Sequence, residues 1–178
     1  VTLTSGRRKP VDTNVARIGI QTTTDTVTLK RGQQAILAQE VRSPFAGRYK
    51  LTLRCRGRAP SKTQFAESFA NRFRCRLVFF QFGDQKKSPR KRRELASVAF
   101  APKFQPAGSA TWQTVVLEKN FVNPKPGSNF SFGSGLGVAV IVEAKNPGTL
   151  PAATQALLEI AEVDLQFAGK QRIETVKV

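Results

Sequence analysis

The chain contains no histidine and no methionine, and only two cysteines, one tryptophan and one tyrosine. Without histidine, the Ser-His-Asp and Cys-His nucleophile systems lose their general base and His-ligated metals lose their ligand. Ordinary hydrolase chemistry is nearly closed. Carboxylate chemistry remains, with Glu67, Asp84, Glu94, Glu118 and Glu143 available, but nothing in one dimension sets two of them across a scissile bond. The expectation is a protein without catalytic activity. The missing methionine, initiator included, points to a piece processed or excised from a longer polypeptide, with any export signal already removed. No apolar run approaches the length of a membrane span, so membrane insertion is not expected.

Cys55 and Cys75 are too few for a disulfide scaffold and too few for a zinc site. Each lies in a segment of alternating apolar residues, which leaves two readings open: a pair of buried thiols or a single cross-strand disulfide. Either way they report packing.

Acids are scarce where bases are dense. Of the 29 Lys and Arg, 16 fall between Arg42 and Arg93, accompanied only by Glu67 and Asp84, whereas from Glu118 onward six acids offset six bases. The formal net charge of +17 is therefore a local field. A field of that sign implies an anionic partner, whether nucleic acid, acidic polysaccharide or a charged surface.

At 178 residues and 40% hydrophobic, the chain suits one globular domain, residues 1–178, with a core over about 25–168. Extended segments dominate: Val27 to Leu29, Ala35 to Val41, Arg48 to Gly57, Arg72 to Phe82, Leu95 to Ala101, Thr111 to Glu118, Leu136 to Ala144 and Ala156 to Phe167, with Ile173 to Val178 as a further candidate. Breakers such as Ser43-Pro44, Pro102 to Gly108 and Asn146 to Gly148 separate them at sandwich-like spacing. The expected fold is all-β, an antiparallel β-sandwich with one short helix. That helix follows from Ser61 and Gln64 in capping-box spacing, and from Phe65, Phe69 and Phe73 at i, i+4 and i+8. A stripe at helical spacing reads as core rather than as a base-stacking platform.

Two basic strands alternate strictly. Tyr49, Leu51, Leu53 and Cys55 share one face, with Arg54, Arg56 and Arg58 on the other; Phe73, Cys75 and Leu77 oppose Arg72, Arg74 and Arg76 in the same way. Were the two strands neighbours, six guanidinium groups would lie within roughly 5 to 10 Å of one another. Such a cluster must be solvated, paired with acids from elsewhere, or built to hold an anion, and the planar fork of arginine suits sulfate, carboxylate or phosphate. Lys86, Lys87, Arg90, Lys91, Arg92 and Arg93 form a separate run around Pro89 that reads as an exposed loop tip, giving long-range attraction with little discrimination.

Ala38-Gln39-Glu40-Val41, then Ala46 to Arg56 with its Gly47-Arg48-Tyr49-Lys50-Leu51 opening, then Thr111-Trp112-Gln113-Thr114-Val115 and Ala161 to Leu165, give the chain a likeness. It resembles the galactose-binding-like β-sandwich superfamily, particularly its carbohydrate-binding modules, over about residues 35–167. The resemblance implies a jelly-roll-like sandwich. It places Trp112 and Tyr49 at core positions, which leaves the loop residues Phe104, Phe121, Phe130 and Phe132 as the better aromatic ligand contacts. Family members often hold a structural calcium at a closing acidic pair. Here Ala161 replaces one acid and only Glu162 and, two residues on, Asp164 remain, so no cofactor is expected and calcium is at most accommodated.

The combined expectation is a noncatalytic, monomeric module of a larger exported protein, extracellular or periplasmic, that binds polysaccharide, acidic or sulfated. The Arg90 to Arg93 loop would capture the ligand, and Arg54, Arg56, Arg74 and Arg76 would grip it. The alternative is a coat-type jelly roll that self-assembles and neutralises nucleic acid with its basic surface. Nucleic-acid binding by a lone domain ranks third, since no zinc finger, helix-turn-helix or RNP-like strand is present.

Overall fold

The computed structural model describes residues 15–21, 24–41, 47–82, 92–121 and 135–167. The strands are β1 (Ala16–Gln21), β2 (Val27–Leu29), β3 (Gln34–Val41), β4 (Gly47–Arg58), β5 (Phe73–Phe82), β6 (Arg92–Phe100), β7 (Gln113–Phe121), β8 (Leu136–Ala144), β9 (Gly148–Leu150) and β10 (Gln155–Phe167). One sheet has the order β1-β10-β4-β7 and the other β3-β8-β5-β6, while β2 and β9 form a separate ribbon. Neighbouring strands are antiparallel throughout. This is an all-β sandwich. Among the described residues no helix is long and apolar enough to cross a membrane.

Period-two alternation builds the core. On β4 the side chains of Tyr49, Leu51, Leu53 and Cys55 turn inward and are buried, as are Cys75, Leu77 and Phe79 of β5 and Leu136, Val138, Val140 and Val142 of β8. The basic residues between them are thereby forced outward. Because β4 and β5 belong to different sheets, they are not neighbours, and the supposed six-guanidinium cluster does not form.

Cys55 and Cys75 lie on strands of opposite sheets, and both are free thiols buried in the core. Burial pushes each thiol up to about 12, with the neighbouring Cys55 adding to the effect on Cys75. Neither forms a thiolate near neutral pH. A thiol reagent at pH 8 should therefore leave both unmodified in the native protein and label both once urea unfolds it; labelling at equal rates in the two states would contradict their burial.

The expected helix is shorter than its aromatic period suggests. Ser61 caps it through Oγ, which accepts a 3.1 Å hydrogen bond from Gln64 N. After α1 (Lys62–Phe65) the chain widens into a π-helical turn over Ala66–Ala70, and Phe73 belongs to β5. The three rings still stack in series, with centroids 5.3 Å apart for Phe65 and Phe69 and 5.1 Å for Phe69 and Phe73. Phe65 and Phe69 are buried, which is the core reading.

Phe65 packs directly on β4 at Gly57. A Cβ at Gly57 would stand 2.1 Å from Phe65 Cζ, and the ring, wedged between Phe69 and Phe104, has no room to retreat. Gly57→Ala should cost about 1–3 kcal/mol, read as a lower urea midpoint at unchanged m-value.

Two strands escaped the sequence pattern. Ala16, Ile18 and Ile20 do alternate with Arg17, Gly19 and Gln21, but Gly19 breaks the pattern's apparent strength. The glycine is needed there: φ is 153° and a Cβ would meet Ala156 O at 2.4 Å, so β1 docks on β10 only without a side chain at that point. The other, β9, is three residues long. The candidate strand at Ile173 to Val178 falls outside the described residues.

Candidate functional site

Register, rather than strand proximity, decides where the arginines of β4 point their charge. Arg56 stands opposite Glu159 of β10, and Arg54 stands opposite Glu162 past a bulge between Ile160 and Glu162. Glu159 is 1% exposed, the only charge in the apolar stretch Ala156 to Ile160. Its Oε2 accepts from Arg56 Nε at 2.8 Å, and its Oε1 accepts from Arg58 Nη1 at 3.0 Å and from Arg17 Nε at 3.1 Å. Burial pushes this carboxyl up, but the hydrogen bonds and charges of Arg56, Arg58 and Arg17 outweigh burial and hold it below the usual carboxylate range. One carboxylate thus orders three guanidinium groups.

Arg56 is the fixed member. Its guanidinium carbon lies 4.2 Å from the centroid of the Trp112 ring, and Nη1 donates to the carbonyl of Ser109. Its side chain is 11% exposed, whereas Arg17 is 56%, Arg58 35% and Arg54 48% exposed. Arg56 therefore serves as framework, and the others retain N–H groups toward solvent. The Arg54 pair with Glu162, at 3.6 Å between two half-exposed side chains, leaves Arg54 the least committed of the four. Further along β4, Arg48 pairs with Glu118.

The second basic strand carries its charges on the far side of the sandwich. Arg74 Nη2 lies 3.0 Å from Glu143 of β8, directly opposite in register, and Arg76 bridges Glu143 and Glu94. Among the described residues, two arginines meet two acids there, so the group carries no surplus charge, although Arg74 stays 52% exposed. Arg72 does not share that face: it sits in the turn before β5, donates from Nε to the Glu67 carbonyl at 3.2 Å and lies against Gly148 of β9. A single ligand therefore does not reach Arg54, Arg56, Arg58, Arg72, Arg74 and Arg76 together. Lys86, Lys87, Arg90 and Lys91 fall outside the described residues. Arg92 and Arg93 belong by their backbone to β6, paired with Phe82 and Gln81, and not to a loop tip.

The aromatic expectations also change. Tyr49 is in the core, against Phe79, Phe121 and Phe167, but Trp112 is half-buried beside Arg56 instead of in the core. Phe121 is 6% exposed and Phe104 packs on Phe65, so these two pin their segments to the core and offer no ligand platform. Phe130 and Phe132 lie outside the described residues. Glu162 turns to Arg54, Asp164 accepts from Gln166, and no group of three or more metal-ligating side chains gathers among the described residues, so the pair kept from the calcium motif does not fit a calcium site here.

Sequence reasoning missed Arg17, Trp112 and Glu159. Glu159 had a signal, since an acid inside an apolar strand is stable only when paired. An apolar cavity of about 120 Å³, lined by Leu37, Val138, Val140 and Val163, opens beneath β10 and carries no charged side chain, so it is separate from this face.

The outward face of the β1-β10-β4-β7 sheet thus gathers Arg17, Arg48, Lys50, Arg54, Arg56 and Arg58 against Glu118, Glu159, Glu162 and Asp164. It keeps a surplus of positive charge. No protein-family model matches the chain. No curated protein matches it either. A solved structure described as "CBM4 structure and function" aligns with 88% of this chain and 73% of that chain, at 12% identity and a TM-score of 0.39. So distant a likeness carries no argument about ligand.

Proposed function

We propose that the protein is a noncatalytic binding module, part of a larger exported polypeptide, that holds an acidic or sulfated polysaccharide on the outward face of the β1-β10-β4-β7 sheet. The observation that carries this reading is the ordered arginine group. Glu159 and Trp112 fix Arg56, and around it Arg17, Arg54 and Arg58 stay partly exposed with N–H groups to spare. Guanidinium groups held in place lose less rotamer freedom on meeting a sulfate or carboxylate, which favours binding with discrimination. The half-buried Trp112 adds an apolar edge to the same face.

The test compares acidic polysaccharides, neutral glucans, DNA and RNA at two salt concentrations, using the wild type, an Arg54→Glu/Arg58→Glu variant and an Arg74→Ala variant. The first variant should lower affinity for the acidic polysaccharide by about tenfold or more, and the second should leave it nearly unchanged. Equal binding to every polyanion, abolished by moderate salt and indifferent to both variants, would reject a specific face and return the coat-type reading.

A further inference from the structure

The outward positions of β4 run Arg48, Lys50, Thr52, Arg54, Arg56, Arg58, cationic at every step but Thr52. At about 3.4 Å per residue, successive outward positions are about 7 Å apart and the cations bracketing Thr52 are about 14 Å apart. The cross-strand register makes that interruption a property of the whole row. Thr52 stands opposite Val116 of β7 on one side and Asp164 of β10 on the other. Val116 is 42% exposed, one of the large apolar side chains left to solvent among the described residues. Asp164 carries its carboxylate into the row, where it accepts a 2.8 Å hydrogen bond from Gln166 Nε2.

The middle row is therefore unlike its neighbours. Lys50 faces Glu118 and Arg54 faces Glu162, so each of those rows balances its acid with a cation, whereas the row of Thr52 offers a hydroxyl, an apolar surface and an acid with no cation beside it. An anionic group placed above Thr52 would meet the Asp164 carboxylate with no cation in its row, while a neutral unit there could lay C–H surface on Val116. Anions belong on either side, where Arg48 and Lys50 outnumber Glu118 toward one end and Arg17, Arg54, Arg56 and Arg58 outnumber Glu159 and Glu162 toward the other.

We propose that the ligand is a linear polysaccharide lying along β4 whose anionic groups are separated by at least one neutral sugar unit, the neutral unit seated over Thr52 and Val116. This rests on the binding-module reading and names its substrate class. Asp164 is the selectivity residue, acting by repulsion against a chain charged at every unit.

The test titrates the folded protein with three oligosaccharides of equal length, following the fluorescence of Trp112, the only tryptophan in the chain, with calorimetry as a second readout. The probes are a hyaluronan fragment, in which a uronate alternates with a neutral amino sugar; oligogalacturonate, charged at every unit; and a neutral cello-oligosaccharide. The hyaluronan fragment should bind about tenfold more tightly than the oligogalacturonate despite carrying fewer charges, and Asp164→Asn should narrow that gap by strengthening the oligogalacturonate alone. Tighter binding of the oligogalacturonate, with Asp164→Asn acting equally on both, overturns the spacing while leaving the binding module standing. Failure of both anionic probes to bind overturns the spacing together with carboxylated polysaccharide as the ligand of this face.

Discussion

Glu159→Ala should lower stability by about 3–5 kcal/mol, the cost of removing one partner from a buried ion pair. Arg17 and Arg58 are open enough to recover water. Arg56 is not: its guanidinium lies against Trp112 at 11% exposure, and without Glu159 its Nε loses its carboxylate partner. In a domain of this size each kcal/mol moves the melting temperature by about 2–4 °C, so the fall should be about 6–20 °C by calorimetry. Glu159→Gln, which retains an accepting oxygen and the volume, should lose less. A loss below about 1 kcal/mol in the alanine variant would mean that water reaches Arg56 and that the arginine group is not ordered by its acid.

The same pair sets a pH dependence with a definite sign. The folded state holds the Glu159 carboxyl below its ordinary value, so the unfolded chain takes up the proton first on acidification. Its contribution is fully present above about pH 4.3, the unfolded glutamate value, and is lost as the pH falls through the lower folded value. Wild type and Glu159→Gln should therefore differ most at neutral pH and converge in acid, as urea midpoints at several pH values would read. A constant difference across that range would remove the linkage.

Phe79→Ala should cost a comparable 3–5 kcal/mol through a different mechanism. Phe79 is fully buried at the middle of β5, and its ring meets Phe121 edge-on at 5.4 Å and 88° and Tyr49 at 6.2 Å and 65°. Those partners belong to β7 and β4 of the opposite sheet, so the ring is a contact through which the sheets hold together. Backbone hydrogen bonding fixes both strands, which prevents collapse onto the vacated volume. The measurement is the urea midpoint. Ligand binding by the fraction that remains folded should be unchanged, because the outward arginines do not touch this ring. A loss under about 1.5 kcal/mol would show that the aromatic group can repack.

Much of the fold was legible in one dimension. The alternation of β4, with Tyr49, Leu51, Leu53 and Cys55 against Arg54, Arg56 and Arg58, predicts which side chains are core and which are surface, and the structure agrees. The capping serine and the Phe65-Phe69 stack were equally readable, because local hydrogen bonding and 3.6-residue periodicity act over a few residues. Strand β1 was missed because Gly19 answers to a close approach of β10 that lies far away in sequence. The trend of Trp112 toward the core was misjudged because its strand, β7, begins only at Gln113 and the ring is drawn outward to Arg56.

The candidate site was legible as a composition and not as a place. The sequence by itself determined that arginine dominates the middle of the chain, that it must point outward from strands whose other face is apolar, and that histidine chemistry is absent. Only the tertiary structure decided which acid meets which base. Antiparallel pairing laid the acid-bearing β10 beside β4 and β8 beside β5, so charges segregated along the chain became cross-strand partners: Arg56 with Glu159, Arg54 with Glu162, Arg74 with Glu143. Alternation is a local consequence of backbone geometry, whereas register and sheet membership are set by contacts between residues about a hundred positions apart, and no local pattern encodes them.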